Sequence, residues 1–141
     1  MRRLLLLLFL IIPTLLFSQK KYPPVSIDST KVVVTVTAKT TDEELFKIRK
    51  DLLRFTIIRF VNFDVIRGEN GDIYFLSMHV DCRDGYNGNI SHSFEEGDES
   101  VWGFYRHYKK RPYQLPFFIG NLTDKIDNIL SETTDEDRKQ E

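Results

Sequence analysis

A chain of 141 residues, 41% hydrophobic and 29% charged, with a formal net charge of −1, has an ordinary globular composition and fits one domain. That near-neutral balance excludes the basic footprint of a nucleic-acid binder. A lone cysteine, Cys82, excludes an intramolecular disulfide, so packing must stabilise the fold.

The chain opens "MRRLLLLLFLIIPTLLFS": Arg2 and Arg3, then an almost unbroken apolar run from Leu4 to Phe17. As a helix that run would reach about 21 Å, short of the roughly 30 Å hydrocarbon core of a bilayer. A basic start, a short apolar run and the small Ser18 describe a secretory signal peptide over residues 1–18, cleaved near Ser18/Gln19. Leu16 stands where a small residue would suit cleavage better, so an uncleaved anchor is the competing reading. The expected location is periplasmic or extracellular, with the mature protein not spanning the membrane. The leader carries two of the 20 basic residues and no acid, leaving 18 against 21 acids.

Residues 19–30, with adjacent prolines, read as an extended lead-in. "KVVVTVTAK" is a β-branched strand, with Val32, Val34, Val36 and Ala38 on one face and Val33, Thr35 and Thr37 on the other. "TTDEELFKIRKDLLRF" is a short amphipathic helix. Thr41 and Glu44 have capping-box spacing, and Leu45, Ile48, Leu52 and Phe55 form its apolar stripe. A Glu43–Lys47 pair is expected on its wet side. "TIIRFVNFDVIR" returns to strand character through Ile57, Val61, Phe63 and Val65. Asn70-Gly71 then predicts a hairpin. In the next strand Tyr74, Leu76, Met78, Val80 and Cys82 share one face, and Ile73, Phe75, Ser77, His79 and Asp81 the other. "ISHSFEE" is a shorter strand, "EEGDES" an acidic loop, and "LTDKIDNILSE" a short helix using Leu122, Ile126 and Ile129 or Leu130.

The order β-α-β-β-β predicts an α+β two-layer sandwich, one helix packed on a mostly antiparallel sheet of about four strands. The domain is expected over residues 31–118, with a C-terminal helix and polar tail over 119–141.

The run "TTDEELFKIRKDL", the turn "RGENGDI" and the pattern "FLSMHVDCRDGYNGNISHSF" resemble a small extracytoplasmic α+β module. It is found at the C-terminus of some β-lactam-sensor-type membrane zinc metallopeptidases and in small secreted bacterial proteins of unknown function. The resemblance covers residues 31–100 and implies a bacterial envelope protein. It carries no catalytic residue across, and the H-E-x-x-H motif of the peptidase half is absent from this sequence.

Four sets of residues invite a chemical reading. His79 and Asp81 share a strand face, and with His92 they form the best metal constellation; zinc catalysis needs three such ligands and an open position. Cys82, with His79 or His92 as base, would be a nucleophile, but its apolar strand face makes it a core thiol. Glu95, Glu96, Asp98 and Glu99 lack calcium-loop spacing and read as a surface turn. In "WGFYRHYKKRPY", Trp102, Tyr105, Arg106, Tyr108 and Lys110 interleave aromatic faces with cations, as a binding surface would. The competing reading is a last strand whose aromatics complete the core while its cations stay wet.

The expected function is therefore an exported, non-catalytic binding or interaction module without a cofactor. Its ligand would be an envelope protein, cell-wall glycan or anionic surface, not nucleic acid. It is expected to bind through residues 101–113 or the exposed sheet face. The alternative is a small metal-dependent envelope enzyme using His79, Asp81 and His92.

Overall fold

The computed structural model describes residues 21–58, 60–110 and 112–132, so the leader and the last nine residues lie outside it. The chain is α+β with two antiparallel sheets. In order, the elements are β1 (Val25–Ile27), β2 (Lys31–Val36), α1 (Asp42–Phe55), β3 (Phe60–Arg67), β4 (Ile73–Asp81), β5 (Asn87–Ser93), β6 (Trp102–His107), β7 (Phe117–Asn121) and α2 (Ile126–Ser131). Among the described residues no helix is long and apolar enough to cross a membrane.

The expected single sheet of about four strands is two sheets. One has the order β1-β2-β6-β7 and the other is the meander β3-β4-β5. The reason lies at β2, which pairs antiparallel with β1 on one side and β6 on the other. Both its edges are filled, so α1 cannot deliver β3 beside it, and β3 instead opens the second sheet. The lead-in contributes β1, and the aromatic-basic segment contributes the central strand β6.

All six residues of β2 are buried, because each face meets a different core. Val32, Val34 and Val36 point between the sheets, towards Leu76, Met78, Val80 and Phe104. Val33 points the other way, into a smaller cluster with Val101, Tyr105, Leu122, Ile126 and Ile129 beneath α2. Lys31, only 2% exposed, donates its Nζ to the carbonyl of Ile129. A cation there complements the carbonyl-rich end of a helix.

The helix α1 starts as its sequence dictates: Thr41 Oγ1 accepts from Glu44 N (3.2 Å), and Glu44 Oε2 accepts from Thr41 N (3.0 Å). Leu45, Ile48 and Leu52 are buried, but Phe55 is 58% exposed. Phe55 is the last helical residue; the chain turns extended at Thr56, and Ile58, 1% exposed, fills the core position instead. Lys47 pairs with Asp51, not with Glu43.

The Asn70-Gly71 hairpin forms, with Gly71 at φ 83°. Immediately after it the pairing slips: Ile66 faces Phe75 but Arg67 faces Ile73, leaving Tyr74 as a bulge. The bulge reverses the expected faces there, burying Ile73 at 1% and exposing Tyr74 at 60%. Beyond it Leu76, Met78, Val80 and Cys82 regain the core. The strands β2 and β6 approach so closely that a Cβ on Gly103 would sit 1.9 Å from Val34 O, so only glycine fits.

Candidate binding surface

Of the five residues expected to form a binding surface, four sit on or just beyond β6 and are divided between its two faces. Trp102 turns towards the main core and stacks on His92 (4.0 Å between centroids, 18°), while its Nε1 donates to Ser100 Oγ (2.9 Å). Tyr105, 7% exposed, faces α2 and stacks on Phe118. Arg106, 9% exposed, reaches Asp84 in the β4–β5 loop and lies between the rings of Tyr86 (4.2 Å) and Tyr108 (5.2 Å). Tyr108 is half-buried and Lys110 exposed. The five are not one surface; the central position of β6 sends alternate side chains into separate cores.

The three candidate metal ligands separate in the same way. His79 and Asp81 lie on the outer face of β4. His92 pairs across from Leu76 and so shares the core face. There its Nε2 meets Asp98 Oδ2 at 3.2 Å. Among the described residues no three His, Cys, Asp or Glu side chains gather as a metal site would require. Asp98 is part of its loop: burial alone would raise its pKa, but hydrogen bonds from Ser100 and His92 outweigh that and hold it below the usual range. Glu95, Glu96 and Glu99 are exposed. Cys82 has no exposed surface, and burial, with Asp84 adding to it, pushes its thiol up to about 12. A thiol so protonated is a packing group.

The surface that does assemble is the outer face of the β3-β4-β5 sheet. Register brings Asn62, His79 and Asn89 into one cross-strand row and Asp64, Ser77 and Ser91 into the next. A third row holds Ile66, Phe75 and Ser93, and Asp81 and Asn87 pair at the opposite end. Asn62, Asp64, His79, Asn89, Ser91 and Ser93 are exposed, and Asn62 Nδ2 donates to Asp64 Oδ2 at 3.1 Å. With strands about 4.8 Å apart and successive rows about 6.8 Å apart, the face is roughly 10 by 20 Å.

Its composition runs against strand preference. Asn and Asp are depleted in strands, which favour Thr and other β-branched or aromatic residues. On these rows no Lys, Arg or Glu occurs, and every polar group is short. Short amides, hydroxyls, carboxylates and an imidazole offer donors and acceptors at fixed height. Phe75, half-buried, and Ile66, exposed, add an apolar end. The alternation of β4 indicates this face in the sequence, but the rows need the cross-strand register, which the bulge at Tyr74 shifts. No family model, curated protein or solved structure matches the chain.

Proposed function

We propose that the protein is an exported, non-catalytic binding module of the bacterial envelope, and that it binds a hydroxyl-rich glycan on the outer face of the β3-β4-β5 sheet. The observation that carries this reading is the set of in-register rows Asn62–His79–Asn89 and Asp64–Ser77–Ser91. Side chains chosen against local propensity across three strands are expected where function overrides stability. The ligand class follows from the chemistry. Asp64 and Asp81, without a Lys or Arg among the rows, repel phosphate and other anions. The rows also lack the Trp, Tyr and Arg anchors on which protein interfaces depend. A neutral polyol remains: its hydroxyls both donate and accept, matching Asn and Ser, and a sugar's C–H face packs on Phe75. The leader-like sequence over residues 1–18 and the resemblance over 31–100 support an envelope location.

The test is retention of the purified protein on insoluble cell-wall glycan, with Asn62→Ala/His79→Ala/Asn89→Ala beside it. All three residues are exposed, so circular dichroism should be unchanged while affinity falls at least tenfold, since lost polar contacts are worth about 1 kcal/mol each. Equal retention of the two proteins, or of neither, would refute the site.

A further inference from the structure

A second surface carries a different chemistry. Beside its buried stripe, α1 bears Phe46, 66% exposed, and Leu53, 63% exposed, two turns apart on one line. Phe55, the last helical residue, and Ile57 beyond it are also exposed, at 58% and 54%. Four of the large exposed hydrophobic side chains thus fall within twelve consecutive residues. Within the segment stand Lys47, Arg49, Lys50 and Arg54 against a single acid, Asp51, on a chain whose formal net charge is −1. The remaining acids of α1, Asp42, Glu43 and Glu44, are confined to its first turn. There Asp42 pairs with Arg67 and Glu44 with Lys21. Two open grooves flank the helix end: one, beside Leu53, is lined by Arg49, Leu52, Ile58 and Val61, and the other, beside Phe55, holds Val25 and Ile27 together with the acids Asp28 and Asp51.

We propose that this face of α1 docks on an anionic membrane surface, with Phe46 and Leu53 entering the headgroup boundary and Lys50 and Arg54 meeting lipid phosphates. Two observations select a bilayer. On the helix wheel Phe46 and Leu53 fall between Arg49 on one side and Lys50 on the other, the pattern of a helix lying in an interface plane. In addition, the Lys21–Glu44 pair (3.0 Å) ties the start of the described chain to the first turn of α1, and the apolar run Leu4 to Phe17 lies directly upstream in sequence.

The experiment is co-sedimentation of the chain from Gln19, which contains both cores whole, with vesicles of phosphatidylglycerol or of phosphatidylcholine. Binding is expected to the first and not the second, and to weaken as salt screens the cations. Phe46→Ser/Leu53→Ser and Lys50→Glu/Arg54→Glu should each weaken it at least tenfold. Their circular dichroism and urea midpoints should match the wild type, since all four positions are exposed. Failure to sediment with phosphatidylglycerol would overturn the proposal, as would binding that ignores headgroup charge. Wild-type binding by both double variants would do the same. Glycan retention is a separate readout, because no residue of the sheet face is altered.

Discussion

Arg106 and Asp84 join the two sheets: one carboxylate oxygen, Oδ2, accepts from Nε at 2.9 Å and lies 2.8 Å from Nη2. The arginine belongs to the centre of the four-stranded sheet and the aspartate to the β4–β5 loop of the other. Nη1 donates to the carbonyl of Pro116 at 2.9 Å, and the guanidinium plane is held over Tyr86. Removing one member of such a partly buried pair leaves the other desolvated and unpaired. Arg106→Ala is expected to lower stability by about 3 kcal/mol in urea unfolding. A double-mutant cycle with Asp84→Ala should return a coupling above about 1 kcal/mol. Additive single effects would instead assign the arginine's role to its stacking on Tyr86 and Tyr108.

Gly103 makes a harder demand. Its missing side chain leaves room for the backbone of β2, and the atom that a methyl group would strike is a carbonyl oxygen that cannot rotate aside. Gly103→Ala should cost about 3 kcal/mol or more, through displacement of the β2–β6 pairing. Trp102, the single tryptophan and the next residue, reports it directly: its emission should shift towards that of exposed indole at lower urea. An unchanged midpoint would mean that the strands separate without penalty.

The response to acid follows from three carboxylates. In Asp28, burial would raise the pKa, but hydrogen bonds from Thr30 Oγ1 (2.7 Å), Thr30 N (2.6 Å) and Lys31 N (2.9 Å) win and hold it low. Glu44 is lowered by the cap hydrogen bond and Lys21, and Asp98 by Ser100 and His92, again against burial. A folded pKa below the unfolded one gives stability that is present at neutral pH and lost as pH falls from the ordinary carboxylate value towards the depressed one. Unfolding free energy should therefore decline below about pH 4. Asp28→Asn should be destabilised by about 1 kcal/mol at pH 7, with the gap to wild type closing in acid. A gap independent of pH would show that shape at this turn, not charge, matters.

Cys82 tests the main core from within. Fully buried, with its thiol pushed up to about 12, it should resist maleimide labelling at pH 7 to 8 in the native protein and react at once in urea. Labelling under native conditions at the rate of a free thiol would show that the sheets separate locally. That result would also reopen a chemical role for the residue.

These features were unequally legible in the sequence, for a physical reason. Thr41 with Glu44 and Asn70 with Gly71 act over three residues or fewer, so their structures follow from local chemistry. The fate of Phe55 depended on where the helix stopped, and that of Tyr74 on one bulge; alternation alone resolves neither. The aromatic-basic segment was least readable. Whether Trp102 and Arg106 face water or neighbours depends on β6 lying between β2 and β7, a pairing set by Val34 and Gly103 far apart in sequence. The candidate surface was half visible: His79 and Ser77 were on the wet face of β4, but their partners Asn62, Asn89 and Ser91 required the register.

The pairing of β2 with β6 also dictates an order of assembly. The entire three-stranded meander lies between these two strands in the chain, so joining them early would mean closing a long, floppy loop. The β3–β4 and β4–β5 hairpins are local and can form first, shortening that loop before the four-stranded sheet zips up. Until β6 is available, β2 exposes a valine-rich strand with one unfilled edge, the kind of segment that sticks to its copies. A chain that emerges from its amino end thus carries this edge open while some 65 residues follow β2, and its yield should depend on how quickly β6 arrives.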